Sequence, residues 1–162
     1  MALGAWGRVA LVAAGVVALD QATKALVRSR IADGDRVHVI PGVELVHTRN
    51  TGVAFGALSG GGAIVTVVVA IALVSLLGYF ATHVQRPLFW LPTGMLVGGA
   101  IGNVIDRLRL GYVVDFVDIG IGGFRWYTFN VADAAISTSI VMLIGAALIP
   151  SLVGLGERRS DG

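Results

Sequence analysis

The chain has 162 residues, of which 56% are hydrophobic and only 14% charged. A soluble domain carries roughly 25% charge, so this composition excludes a disordered chain, argues against an ordinary soluble enzyme and points to a membrane protein. Twelve basic and ten acidic residues leave a net charge of +2, too small an imbalance for a nucleic-acid surface, and the lack of cysteine excludes disulfides, thiolate metal sites and cysteine nucleophiles.

Residues 9–19 form a short apolar run after Arg8, like the apolar core of a secretory signal. No small-x-small cleavage site follows it. Asp20, Gln21, Thr23 and Lys24 continue a helix-compatible run to about Arg30. This predicts an uncleaved spanning helix over about 7–28 with a polar outer turn. Asp20 and Lys24 are four apart and share a helix face. On spacing alone they read as a boundary ion pair or a snorkelling lysine; the alternative is a functional pair facing the bundle interior.

Between residues 36 and 46, Val37, Val39, Val43 and Leu45 alternate around Pro41-Gly42, which predicts a short hairpin. Gly60 to Gly62 read as a flexible joint. The uncharged runs 63–81, 88–105 and 134–155 each approach or reach the roughly 20 apolar residues that cross a bilayer. They predict spans over about 62–82, 87–106 and 133–155, with a short loop between the middle two. Gly94, Gly98 and Gly102 make a glycine seam in the third span, read as close helix packing. Asn103, Asp106 and Arg107 follow it. Residues 111–119 and 124–129 are rich in aromatic and β-branched types and carry Asp115 and Asp118; a small sheet or amphipathic platform at the membrane surface would satisfy their backbones. Asp133 opens the last span after Asn130, where it could be a cap or dipole partner. Residues 157–162 read as a tail.

The expected architecture is therefore a mainly α, polytopic membrane protein forming one domain over 1–162. Its four transmembrane helices place the connections 29–61 and 107–132 together on one side. Those connections hold Arg30, Arg36, Arg49, Arg109 and Arg125, against Arg8, Arg86, Arg158 and Arg159 at the other side. The positive-inside rule taken alone would put the long connections in the cytoplasm.

Acids at membrane depth are costly and mark function. Two close carboxylates cannot both ionise cheaply, so one keeps a proton; such a pair can activate water and protonate a peptide carbonyl or leaving amine. Spacing alone does not choose among Asp106, Asp115, Asp118 and Asp133. Other chemistries have less support. His38 and His47 lack a metal-ligand motif, and no HExxH or phosphate loop occurs. A Ser29–Lys24 nucleophile is poorly aligned at i,i+5. A proton-coupled transporter or a noncatalytic scaffold are the competing classes.

Five motifs in order resemble the bacterial lipoprotein signal peptidases. They are Asp20-Gln21-Ala22-Thr23-Lys24, Asn50-Thr51-Gly52-Val53-Ala54-Phe55, the run from Gly98 to Arg107, Val114-Asp115-Phe116, and Phe129-Asn130-Val131-Ala132-Asp133. The resemblance covers nearly the whole chain. It implies an intramembrane aspartyl endopeptidase that cuts diacylglyceryl-modified prolipoproteins just before the lipidated cysteine. By position, Asp115 and Asp133 become the catalytic pair. Asn50, Gly52, Asn103, Arg107 and Asn130 become orienting or substrate-binding residues. Asp20, Lys24 and Asp106 become supporting ones, with Asp118 also structural. The resemblance further implies a small extracytoplasmic sheet, both termini in the cytoplasm, residence in the bacterial cytoplasmic (inner) membrane among its phospholipids, a monomer, no metal or organic cofactor, no nucleic-acid partner, and inhibition by cyclic peptides such as globomycin.

Overall fold

A computed structural model describes residues 4–51, 71, 74, 78, 82 and 89–148. Among these, three helices and four strands follow in the order α1 (Ala5–Arg30), β1 (Arg36–Ile40), β2 (Val43–Asn50), α2 (Trp90–Leu110), β3 (Val113–Ile121), β4 (Phe124–Arg125) and α3 (Val131–Leu148). Ile71, Val74, Gly78 and Thr82 are helical; the rest of the expected second span, the glycine joint and the tail lie outside the described residues. The observed class is mainly helical with a small antiparallel sheet.

The glycine seam sets how the helices meet. A β-carbon on Gly94 would come within 2.7 Å of Val12, and one on Gly98 within 2.7 Å of the Ala13 carbonyl. One on Gly102 would fall 2.7 Å from the Asp20 carboxylate. Rising numbers on α2 therefore meet rising numbers on α1, and the two helices run parallel. Gly99 faces α3 instead, with the Ala132 carbonyl 2.5 Å from its would-be β-carbon. At the far end, Val9 and Phe89 pack with Leu143 and Ala146, so α3 runs antiparallel to both. The seam serves packing as expected, but on two neighbours.

The helices turn apolar residues outward and polar ones inward. Leu11, Leu19, Leu26, Leu108, Val141 and Leu148 are exposed, whereas Asp20, Lys24, Asn103 and Asp106 are buried. That inversion suits a hydrocarbon solvent. Among the described residues α1 alone, at 26 residues, is long and apolar enough to cross a membrane; α3 is a shorter apolar helix.

At the sheet end each helix runs past its expected bound. α2 runs on to Leu110 and is closed by Gly111 at φ +80°, whose N–H donates to the Arg107 carbonyl. Charge marks where hydrocarbon should end, but a helix continues as long as its polar side chains find partners inside. Asn103, Asp106 and Arg107 are therefore helical.

The sheet has the order β1-β2-β3-β4. Pro41-Gly42 makes the expected β1–β2 turn, with Gly42 at φ +83°. β2 and β3 pair antiparallel, with Thr48 opposite Asp115 and Asn50 opposite Val113. Gly122 and Gly123, both at positive φ, close the β3–β4 hairpin as a two-residue turn requires. Phe116 of β3 is buried with Val27 and Ile31, against Leu45 and Val131. This cluster fastens the sheet to the end of α1 and the start of α3.

Candidate active site

Polar residues of all five motifs converge where the sheet meets the helices. Asp115, 2% exposed, accepts from Asn50 Nδ2 at 2.9 Å on one oxygen and from Asn130 Nδ2 at 2.7 Å on the other. Burial pushes its carboxyl up to about 6; the hydrogen bond from Asn50 opposes this, the charge of Asp133 adds to it, and Asn130 and Lys24 oppose it.

Asp133, partly exposed, is the third residue of α3. Its N–H donates to Asn130 Oδ1 at 2.9 Å, and its Oδ2 accepts from the Asn130 N–H at 3.2 Å. This is a capping box with aspartate in the third position. The reading of Asp133 as a cap is therefore correct, and the cap itself fixes the carboxylate beside Asp115. The other oxygen accepts from Asn103 Nδ2 at 2.8 Å.

Asn103 is oriented from below. Its Oδ1 accepts from Lys24 Nζ at 3.0 Å and from Asn130 Nδ2 at 3.2 Å. Two donors on one side of the amide force its NH₂ toward Asp133. Lys24 is 2% exposed and forms ion pairs with Asp20 at 2.8 Å and Asp106 at 3.1 Å. The ion pair expected from the spacing forms, but the lysine does not snorkel: both groups face the interior, because Asp106 and Asn103 on α2 lie there to receive the ammonium. Asp20 Oδ1 accepts from the Ala132 N–H in the first turn of α3, and Asp106 Oδ2 accepts from the Val114 N–H on β3, each at 3.0 Å. The supporting acids thereby pin the two backbones that carry Asp115 and Asp133.

The remaining residues fall as follows. Arg107 Nη1 reaches the Asn103 carbonyl at 3.5 Å, and its buried Nε has no hydrogen-bond partner among the described residues. Gly52 lies outside the described residues. Asp118 sits apart, on the sheet, with Arg36, Arg125 and Glu44 around it. Burial raises its carboxyl, but hydrogen bonds from Arg36 and Arg125 outweigh that and hold it below the usual range. Ser29 donates to the Leu26 carbonyl and Lys24 is committed elsewhere, so the pair forms no nucleophile. Among the described residues no cluster of three or more His, Asp or Glu is placed for a metal ion.

Two features escaped sequence reasoning. Gln21 donates to Asp106 at 3.0 Å and to the Gly102 carbonyl at 3.2 Å; its place between Asp20 and Lys24 was the only signal. The charge cluster on the sheet was foreshadowed only by the charges scattered through the strand segments.

A buried carboxyl on β3 set beside a second carboxylate at a helix start, against helices that turn leucines outward, defines the class of aspartic-type peptidases of the membrane. Known proteins narrow the class. The family described as Signal peptidase (SPase) II matches residues 12–149. The chain is 38% identical to a lipoprotein signal peptidase of Solibacter usitatus, over 86% of this chain and 89% of that one. It is 41% identical to one of Pelotomaculum thermopropionicum, over 85% and 90%. A solved bacterial membrane enzyme superposes with TM-score 0.81 at 36% identity, covering 88% of this chain and 93% of that one. A second gives 0.73 at 36% identity, over 96% and 95%. The chain belongs to the signal peptidase II family.

Proposed function

We propose that the chain removes the signal peptide from diacylglyceryl-modified prolipoproteins, cutting just before the lipidated cysteine, with Asp115 and Asp133 as the catalytic pair. The observation that carries this reading is Asn130, which holds both: its side chain donates to Asp115 and its backbone N–H to Asp133.

Asp115, with its carboxyl raised to about 6, is the member of the pair that holds a proton more readily than a free aspartate, and its protonated form is the reactive one in this scheme. Asp133 acts as the base, held in place by Asn103 and the cap. Asp133 takes a proton from water as the hydroxide adds to the peptide carbonyl carbon, and Asp115 gives its proton to the carbonyl oxygen. As the C–N bond breaks, the proton on Asp133 passes to the leaving amine. Asp115 recovers its proton from the gem-diol, so one water is consumed and the pair is restored. Asn50, Gly52, Asn103, Arg107 and Asn130 orient the aspartates and the substrate backbone; Asp20, Lys24 and Asp106 support them.

In this reading four helices cross the bacterial cytoplasmic membrane, with the sheet outside and both termini in the cytoplasm. A fourth crossing is supported by connectivity, since β2 ends at the sheet end of the helices and α2 begins at the other. Arg36, Arg49 and Arg125 each pair with an acid, which lessens the weight of the arginine count against an external sheet. The protein works as a monomer among phospholipids and is open to cyclic peptide inhibitors such as globomycin.

The test is signal-peptide release, read by mass, from a diacylglyceryl prolipoprotein by the purified protein in lipid. Asp115→Asn and Asp133→Asn are each expected to lose on the order of 10²–10⁴-fold in rate with an unchanged helical spectrum. Full activity in either variant would overturn the assignment.

A further inference from the structure

One group of cations is not absorbed by the site. Arg28 and Arg109, in the last turns of α1 and α2, line a small cavity of about 90 Å³ with Lys24 and Asp106. Arg28 also lines a wider groove of about 430 Å³ with Ser29, His47, Arg49 and Tyr112. No described residue pairs with the Arg28 guanidinium. Arg49 offers Nε to Asp33 at 3.0 Å and lies over the Tyr112 ring at 5.1 Å, which fixes the plane of its guanidinium and leaves the terminal nitrogens uncommitted. Cations at a helix C-terminus are favourable by themselves. That effect explains why Arg28 sits in the last turn of α1, but not why a second guanidinium from β2 and a phenol from the α2–β3 junction face the same space.

The groove lies at the end of a membrane-length helix, beside the exposed Leu26; with α1 across a bilayer, a helix end meets the headgroup layer. Two guanidiniums around an open space suit a phosphate oxyanion, which they can hold by paired N–H donors. We infer that this groove between the end of α1, β2 and Tyr112 binds the phosphate of an anionic phospholipid headgroup. It gives a use to arginines that the positive-inside rule would otherwise place in the cytoplasm. Arg49 stands opposite Val114 in the β2–β3 ladder, next to the strand positions that bear Asn50 and Asp115. A bound headgroup therefore fastens to the membrane the part of the sheet that carries the site. The inference rests on α1 lying in a membrane, and not on the proteolytic reading.

The experiment takes the full-length protein from nanodiscs of phosphatidylcholine with a minority of phosphatidylglycerol and counts retained lipids by native mass spectrometry. Wild type is expected to retain phosphatidylglycerol preferentially. Arg28→Gln and Arg49→Gln should each reduce that retention about fivefold, the value of one cation near an anionic surface, with phosphatidylcholine unaffected. Arg8→Gln makes an equal change of charge at the other end of α1 and should change nothing. Equal retention by wild type and the groove variants, or an equal loss in Arg8→Gln, overturns the inference. So does a thermal shift of detergent-solubilised protein with inorganic phosphate in the absence of any lipid preference, which would make the site one for free phosphate. Signal-peptide release by the same samples reports separately on the peptidase reading.

Discussion

Asp115 shows most directly how a single environment sets chemistry. It is buried, yet both its oxygens accept only from neutral amides, so its carboxyl stands at about 6 against an ordinary 3.8. The folded state therefore holds a proton that the unfolded chain has released across that interval. Stability from this group is fully present below about pH 4 and is lost as pH rises through about 6, by roughly 3 kcal/mol. Wild type in detergent should accordingly lose thermal stability over that window, and Asp115→Asn should flatten the loss. An unchanged slope in the variant would contradict the burial argument. Lys24 is the counterpart. Removing its charge by Lys24→Met leaves Asp20 and Asp106 buried without a cation, which costs about 3–5 kcal/mol, read as a lower melting temperature with activity lost alongside. The motifs made these residues legible, but their spacing did not. A separation of four puts Asp20 and Lys24 on one face without saying where that face points; the acids and amides of α2 decide that, and they lie some 80 positions further along the chain.

Among the elements, α2 carries the sharpest geometric constraint. Gly98 admits the α1 backbone and Gly99 admits α3, from adjacent positions on one helix. A methyl at either must push backbone aside, so Gly98→Ala and Gly99→Ala should each cost about 1–3 kcal/mol. Gly102→Ala meets the Asp20 carboxylate instead and should lose more activity than stability. Melting curves beside cleavage rates separate the two patterns. The seam was plain in the sequence as glycines four apart, but that spacing does not name the partner helix. The β1–β2 hairpin was equally plain, because Pro41-Gly42 sits between alternating residues. β4 was harder to bound, since two residues give no periodicity and only Gly122-Gly123 mark its turn.

At the scale of the whole molecule, sheet and helices divide the work. α1, α2 and α3 set an ion-paired interior, and β2 and β3 bring Asn50 and Asp115 against one end of it. The proposed orientation is open to a clean check, since the chain has no cysteine. Val39→Cys on the exposed β1 strand should react with an impermeant thiol reagent in intact cells, and Arg8→Cys only after permeabilisation. The reverse pattern would restore the orientation that the arginine count suggests. That count failed to settle the matter because it treats every arginine as a free charge, whereas three of those on the sheet side are paired with acids.

The bond from Asp20 to the Ala132 N–H joins the first helix described to the last. Asp133 leaves the ribosome after everything else in the site, and its helix start is then held by a carboxylate made more than a hundred residues earlier. On the proposed assignment the catalytic pair is complete only once the start of α3 has docked on α1.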